Sequence, residues 1–484
     1  MNFLACDCGN SSIRVNLCRI ENGKIGVENI LSEENKNMLV AGYFYWDMLR
    51  IFDLLKKGIA LAAKKERIHG VGICTWGIDF MLFDKKGTML ANALCYRNPL
   101  GEEQLSRLSA EQQERMFFQT GILCNRINSV FMLKAMREKM PELLGIADKI
   151  LLVPDILNYF FTGVMQNEPS ELSSSQLMDT RTMQINKELC SEHGVNPGLF
   201  STVGKHGTLV GNILPHILKE MKIDYDIPVI CVPSHDTASA VLGVPAMEEE
   251  FAYISAGTWA LIGAECPKPK IEQKVFDAGM TNEVGAFGRI TLLKNSMGMF
   301  ILQRLKKEYD LEYGKTDWNT FTRLEDASSY SALLYNVNNL MFFNPENMSD
   351  SIRKYLADSG QIEGDITWPD IVLATHCSMA ANYALAVEDA SYAAGREYDR
   401  VYIVGGGAKN DRINSRFADM YGRMVLTCDK ECASVGNAVA QLCYYEPALG
   451  LRDLKKIVAE SLETKTYEPI SNKKALLEKY KTLH

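Results

Sequence analysis

The chain has 484 residues, too many for one ordinary core, and its 47% hydrophobic and 23% charged content is that of a globular protein rather than a disordered one. A formal net charge of -8 excludes the concentrated positive field that a nucleic-acid or anionic-membrane surface requires. Small molecules are therefore the expected partners.

The opening MNFLACDCGNSS lacks a basic n-region and an acidic residue interrupts its apolar run, so it does not read as a signal peptide. Thirteen cysteines, scattered and odd in number, suit reduced thiols in a cytoplasmic protein. Neither close pair, Cys6/Cys8 nor Cys428/Cys432, has the second pair or the histidines that a zinc site needs.

Taken in order, FLACDCGNSSIRVNLCRIENGKIGVENI predicts strand, polar loop, strand, a turn at Glu21 to Lys24, and a third strand. Apolar residues at helical spacing (Leu49, Phe52, Leu55, Ile59, Ala62) predict a helix from about Trp46 to Lys65. HGVGICTWGIDFMLF then reads as a buried strand, a loop at Thr75 to Asp79, and the start of a hairpin. Residues 101 to 161 are mostly helical in pattern, with a short strand near Ile150 to Val153, and NEPSELSSSQLMDTRT from Asn167 to Thr182 is polar and serine-rich but too short for a disordered linker.

DIPVICVP delivers His235 and Asp236 at the start of a small-residue helix, where Ser234 or Asp236 suits an N-cap. The pattern then restarts, because EFAYISAGTWALIGAE repeats strand, tight polar loop, strand. We read a weak internal duplication and place a domain boundary near Pro245, giving domains 1–244 and 245–484. The second half continues with strand RITLLK, a helix from Met297 to Tyr309, a buried helix at Ile371 to Arg396, and a strand, glycine turn and helix in VYIVGGGAKNDRINSRF. Its longest uncharged apolar stretch, Ile371 to Val387, carries His376, Ser378 and Asn382, which suits a buried helix better than a membrane span. Alternating strands and helices make the class α/β.

Four loops carry chemistry. DCGNSSIR offers backbone N–H groups and hydroxyls to an anion, with Arg14 adding charge, and equally reads as an ordinary hairpin turn. SAGTW and IVGGGAKN could likewise let backbone approach a phosphate or a flat ligand, or be plain connections. In TWGIDF, Trp76 and Asp79 offer a sugar an apolar face and a hydroxyl acceptor, or else form a core indole with a turn aspartate. No GxGxxG or GxxxxGK[ST] occurs.

Together and in this order, DxGxxxxR, TWGIDF, SHDTASAV, SAGTWALIG, LLKNSMGMFILQ and IVGGGAKN resemble the FGGY carbohydrate kinases over almost the whole chain. The resemblance implies a two-domain actin-like, ribonuclease H-like ATPase fold holding ATP and sugar in an interdomain cleft. It implies that Asn10, Ser11, Ser12 and Arg14 line a first phosphate loop, that Thr258, Gln303, Gly406 and Gly407 contact ATP, and that Asp7 is linked to Mg²⁺. Gly77, His235, Thr237 and Asn295 would contact sugar beside Trp76 and Asp79, and Asp236 would accept the proton. The implied reaction is ATP-dependent phosphorylation of a ketose, L-rhamnulose first, with L-fuculose or another ketose or pentulose as the alternative and a non-catalytic sugar sensor behind both, by a monomer or homodimer. The sequence departs from the family pattern at Cys74, where an acidic residue would be unsurprising, at YRNP in place of YRD, and at Met299-Phe300.

Overall fold

A computed structural model describes residues 1–428 and 431–483. Contacts divide the chain into two compact units, each assembled from separated segments: Met1–Glu249 with Glu265–Leu292 and Glu431–Glu463, and Glu250–Ala264 with Leu293–Lys430 and Thr464–His484.

The first unit is built on a six-stranded sheet. Asn2–Cys8 and Ser12–Glu21 pair antiparallel, and Ser12–Glu21 pairs in turn with Lys24–Glu34 through a turn at Asn22 and Gly23. Both turn residues have positive φ, 51° and 74°, which matches the twist of a two-residue hairpin. On its other side Asn2–Cys8 runs parallel to Gly70–Thr75, which runs parallel to Pro228–Cys231. Gly70–Thr75 is buried at every position, as a strand covered on both faces must be. An antiparallel strand, Thr208–Asn212, closes the edge.

The helix expected from Trp46 spans Met48–Ala63, capped by the Asp47 side chain, which accepts from the Arg50 amide at 3.0 Å. It begins later than its apolar pattern suggests because Trp46 ends a short strand, Tyr43–Trp46, with its indole buried. Leu55, Ile59 and Ala62 face the core with Val15, Leu17 and Ile73.

The second unit repeats this plan. Phe251–Ala256 and Trp259–Cys266 form the hairpin, Ile290–Met297 pairs beside Trp259–Cys266, and Arg400–Val404 and Met424–Cys428 follow in parallel before an antiparallel edge strand, Lys465–Tyr467. Counted along the chain, the first sheet runs third, second, first, fourth, sixth, fifth, and the second, which also takes in Thr281–Val284 at its other edge, runs third, fourth, second, first, fifth, sixth, seventh; each centres on a first strand flanked by its hairpin partner and by a parallel strand. The faint duplication in the sequence is thus a duplication of topology.

The apolar stretch after Asp370 lies within one helix, Trp368–Ala394, opened by a capping box of Thr367 and Asp370 and closed by Gly395 at φ 75°. It is buried around most of its circumference. Among the described residues no helix is long and apolar enough to cross a membrane.

Candidate functional site

Four segments of the first unit converge: the hairpin turn at 9–12, the loop after Thr75, the strand-to-helix junction at 234–236, and strand Thr281–Val284.

Asp7 and Arg14 sit directly opposite each other across the hairpin. Arg14 Nη2 lies 2.5 Å from Asp7 Oδ2, and its Nη1 lies 2.6 Å from Glu431 Oε2. Asp7 is only 3% exposed. Burial pushes its carboxyl up to about 6; Arg14 opposes the rise, whereas Asp236 and Glu431 add to it. Beyond Asp7 the turn is shaped by Gly9 N–H donating to Ser12 O at 2.8 Å and by Asn35, which donates to the carbonyls of Gly9 and Ser11. Asn10 and Ser12 are partly exposed there and Ser11 is exposed. In the next strand Cys74, one of the departures from the family pattern, is the register partner of Asp7. An acidic residue there would place a second buried carboxylate beside the first.

In TWGIDF, Gly77 is buried against the histidine loop: a Cβ would stand 3.1 Å from Ser174 Oγ and 3.4 Å from His235 Nε2. Ile78 follows at φ 77°, and the Asp79 amide donates to the Gly77 carbonyl at 3.0 Å, a tight γ-turn on a β-branched residue. Asp79 is buried, and its Oδ2 accepts from two indoles, Trp46 at 2.6 Å and Trp76 at 2.9 Å. Burial lifts this carboxyl to about 7 against the pull of the indoles. One oxygen of Asp79 is thus already bound, and the two tryptophans pack with ring centroids 4.3 Å apart. Asn98 of YRNP is a structural clamp, donating to the carbonyls of Phe44 and Cys95 and accepting from the Phe44 amide.

At the junction, helix Asp236–Leu242 opens without the expected side-chain cap. His235 occupies the N-cap position, Ser234 Oγ turns back to the Val232 carbonyl, and Asp236 is the first helical residue. Its side chain is 37% exposed and accepts from the Thr237 hydroxyl at 3.2 Å. His235 stands between two carboxylates, with Nε2 3.6 Å from Asp236 Oδ1 and Nδ1 3.2 Å from Glu283 Oε2. Burial, the largest influence, disfavours the imidazolium, but Glu283, Asp236 and Glu168 together outweigh it and raise His235 to about 9. At neutral pH the ring is a cation beside Asp236. Thr237 completes this wall and is buried.

Sequence reasoning missed Glu283 and Glu431, which come from segments far along the chain, and it missed Trp46. The one available signal was that each is a polar or amphipathic residue in or beside a strand or helix end.

The second unit holds the other expected residues. Thr258 sits in the turn of its hairpin, where Gly257 N–H donates to Trp259 O at 2.9 Å. The amides of Met299 and Phe300, at the start of helix Phe300–Tyr313, donate to the carbonyls of Gly257 and Thr258. Gly298 allows this approach: a Cβ there would lie 2.6 to 2.7 Å from backbone atoms of Trp259, Ala260 and Gly257. Gly407 packs on the same strand end, its would-be Cβ 2.5 Å from Ala256 Cβ and 3.5 Å from Met299 Sδ, so Met299 supports the glycine turn. Gly406 and Gln303 are exposed beside these elements, and Asn295 is exposed on Ile290–Met297. Among the described residues no cluster of three or more histidine, cysteine, aspartate or glutamate side chains could hold a metal ion.

The fold is thus a twice-repeated α/β sheet, each copy opening on a small-residue turn, with His235 and Asp236 at a helix start in the first copy. The model of the FGGY family of carbohydrate kinases, N-terminal domain, matches residues 2–243, and that of the C-terminal domain matches residues 252–444. The chain belongs to this family and is a sugar kinase. It is 33% identical to a rhamnulokinase from Bacteroides thetaiotaomicron, over 97% of this chain and 96% of that protein, and 31% identical to one from Oceanobacillus iheyensis, over 97% and 98%. Its fold matches a xylulose kinase from Lactobacillus acidophilus with a TM-score of 0.81 at 14% identity, covering 100% of this chain and 96% of that one. A Plasmodium falciparum glycerol kinase with ADP matches at 0.78 and 16%, covering 99% and 96%.

Proposed function

We propose that the chain transfers the γ-phosphoryl group of ATP to O1 of L-rhamnulose. The observation that carries this reading is the full-length similarity to rhamnulokinases, joined to a half-exposed Asp236 beside a cationic His235. Asp236 aligns the O1 hydroxyl and takes its proton as the new P–O bond forms and the bond to ADP breaks. His235, held by Glu283, keeps positive charge next to that carboxylate and presents Nε2 to a sugar hydroxyl. Gly77 leaves room for the hydroxyl to approach. Thr237 and Asn295 supply further hydroxyl partners, and Trp76 supplies the apolar face, its indole fixed by Asp79 against the buried Trp46.

On the nucleotide side Arg14 and the amides of the 9–12 turn, with Asn10, Ser11 and Ser12, hold phosphate oxygens. Thr258, Gln303, Gly406 and Gly407 hold the rest of ATP. The donor set suits Mg²⁺, which takes few protein carboxylates and keeps waters and phosphate oxygens: Asp7 has only one oxygen committed to Arg14, and Asp236 acts on the same Asp7 carboxyl. When bound, the ion neutralises phosphate charge that Asp7 would otherwise repel. We place this enzyme in the cytoplasm, as a monomer or homodimer.

A coupled assay over L-rhamnulose, L-fuculose, L-ribulose and D-xylulose tests the reading. L-Rhamnulose should have the highest kcat/KM; a higher value for any other ketose would reassign the substrate, and activity on none would end the ketose reading.

A further inference from the structure

The serine-rich segment after Asn167 has no role in the reaction as described so far, yet it is buried at every residue from Asn167 to Met178. Helix Pro169–Ser174 is buried at every residue. Its start is fixed by Glu168, whose carboxylate accepts from the amides of Ser170 and Glu171 at 3.0 and 2.9 Å, and which pairs with buried His206. Asp155 in turn accepts from the Glu168 amide at 3.1 Å. The helix is therefore anchored independently of the loops it touches.

Three of its hydroxyls point to three different walls of the sugar site. Ser170 Oγ donates to Glu168 at 2.6 Å and accepts from the amide of His235 at 3.0 Å. Ser173 Oγ donates to the Ser170 carbonyl at 2.7 Å and accepts from the amide of Val284, next to Glu283, at 3.0 Å. Ser174 Oγ donates to the Glu171 carbonyl at 2.7 Å and accepts from the amide of Ile78, next to Gly77, at 3.0 Å. Each hydroxyl thus spends its proton inside the helix end and its lone pair on a loop amide, an arrangement that fixes donor and acceptor direction. Ile78 is the residue that needs such a hold, since its positive φ is unfavourable for a β-branched side chain and Ser129 also binds its carbonyl. The Ser175 hydroxyl, equally buried, instead joins the Leu172 carbonyl and the Leu177 amide, neither of which belongs to the site.

We propose that Ser170, Ser173 and Ser174 are positioning residues which set the mutual placement of His235, Glu283 and Gly77 from one buried helix. The proposal rests on these residues forming the sugar side of the site, and it extends that reading by naming what holds them in register. A hydroxyl is needed rather than any small side chain, because an alanine would leave a buried amide without an acceptor and free the loop to move. Displacements of an ångström at such a site change rate far more than they change folding.

The test compares Ser170→Ala, Ser173→Ala and Ser174→Ala with Ser175→Ala as the control, each assayed with the sugar that the wild-type enzyme phosphorylates fastest. The three site-facing variants should lose at least tenfold in kcat/KM for sugar while KM for ATP stays within about twofold, and Ser170→Thr should recover most of the loss. Ser175→Ala should match them in lowered Tm but keep wild-type kinetics. Peptide-level hydrogen exchange reads the same contacts without turnover: exchange should quicken over 77–79, 235–236 or 283–285, according to the serine removed. Kinetics and exchange indistinguishable from Ser175→Ala would overturn the proposal. Choosing the sugar by wild-type rate keeps this outcome separate from a failure of the rhamnulose assignment.

Discussion

His235 and Glu283 lie 3.2 Å apart, Nδ1 to Oε2, although 48 residues separate them and only the fold brings them together. With Asp236 on the far side of the ring, the three side chains form a carboxylate–imidazolium–carboxylate row. His235 rises above its ordinary 6.5 to about 9, so the stability it contributes is complete below pH 6.5 and is lost as pH rises through 9. In Glu283→Gln, with Asp236 and Glu168 still facing the ring, we expect the alkaline limb of kcat/KM to move down by at least about one pH unit. Tm measured between pH 6.5 and 9.5 should fall less steeply for the variant than for wild type. An unmoved limb would show that Glu283 does not govern the ring.

Asp236→Asn tests the proton acceptor. The side chain is more than a third exposed and accepts from the Thr237 hydroxyl, so the fold should tolerate the amide. We expect kcat to drop by about 10² to 10⁴ with Tm within a few degrees of wild type. A kcat near wild type would remove Asp236 from the proton transfer.

Asp7 carries a trade-off between stability and activity. Its carboxyl is raised from 3.8 to about 6, so its ionised form is a burden on the fold that grows as pH passes from 4 to 6. Asp7→Asn should therefore raise Tm at pH 8 by a few degrees, with the gain shrinking toward pH 4, while activity with ATP and Mg²⁺ falls by at least about tenfold. Equal Tm values at pH 8 would contradict the assignment.

Gly298→Ala probes the second unit. The three atoms nearest the added methyl group are backbone, at 2.6 to 2.7 Å, so the 257–260 turn must shift, at a cost on the order of 1–3 kcal/mol. KM for ATP should rise at least several-fold with KM for sugar little changed. The reverse pattern would place the turn on the sugar side.

Much of this was legible in the sequence. The strand–loop–strand pattern through the 9–12 turn marked the first hairpin, the turn at Glu21 to Lys24 marked the strand that follows it, and the repeated strand–turn–strand at Phe251 marked the corresponding hairpin of the second sheet. His235 and Asp236 stood side by side at a strand-to-helix junction. The N-cap inference failed there because backbone geometry gave that position to His235, and propensity for Ser or Asp says nothing of where neighbouring strands pull the chain. Glu283, Glu431 and the three serines were illegible for a different reason. Their roles come from contacts spanning 48 to 417 residues, and no local pattern distinguishes Ser174, which holds Ile78, from Ser175, which does not.

The two hairpin turns each join the first and second strands of their sheets, yet they are stiffened by unlike forces. The first is held through the ion pairs of Arg14 with Asp7 and Glu431, and so responds to acid and to ionic strength. The second is held by close approach of backbone at Gly298 and Gly407, which neither protons nor salt disturb. One architectural plan used twice thus yields a chemically tunable corner and a mechanically fixed one.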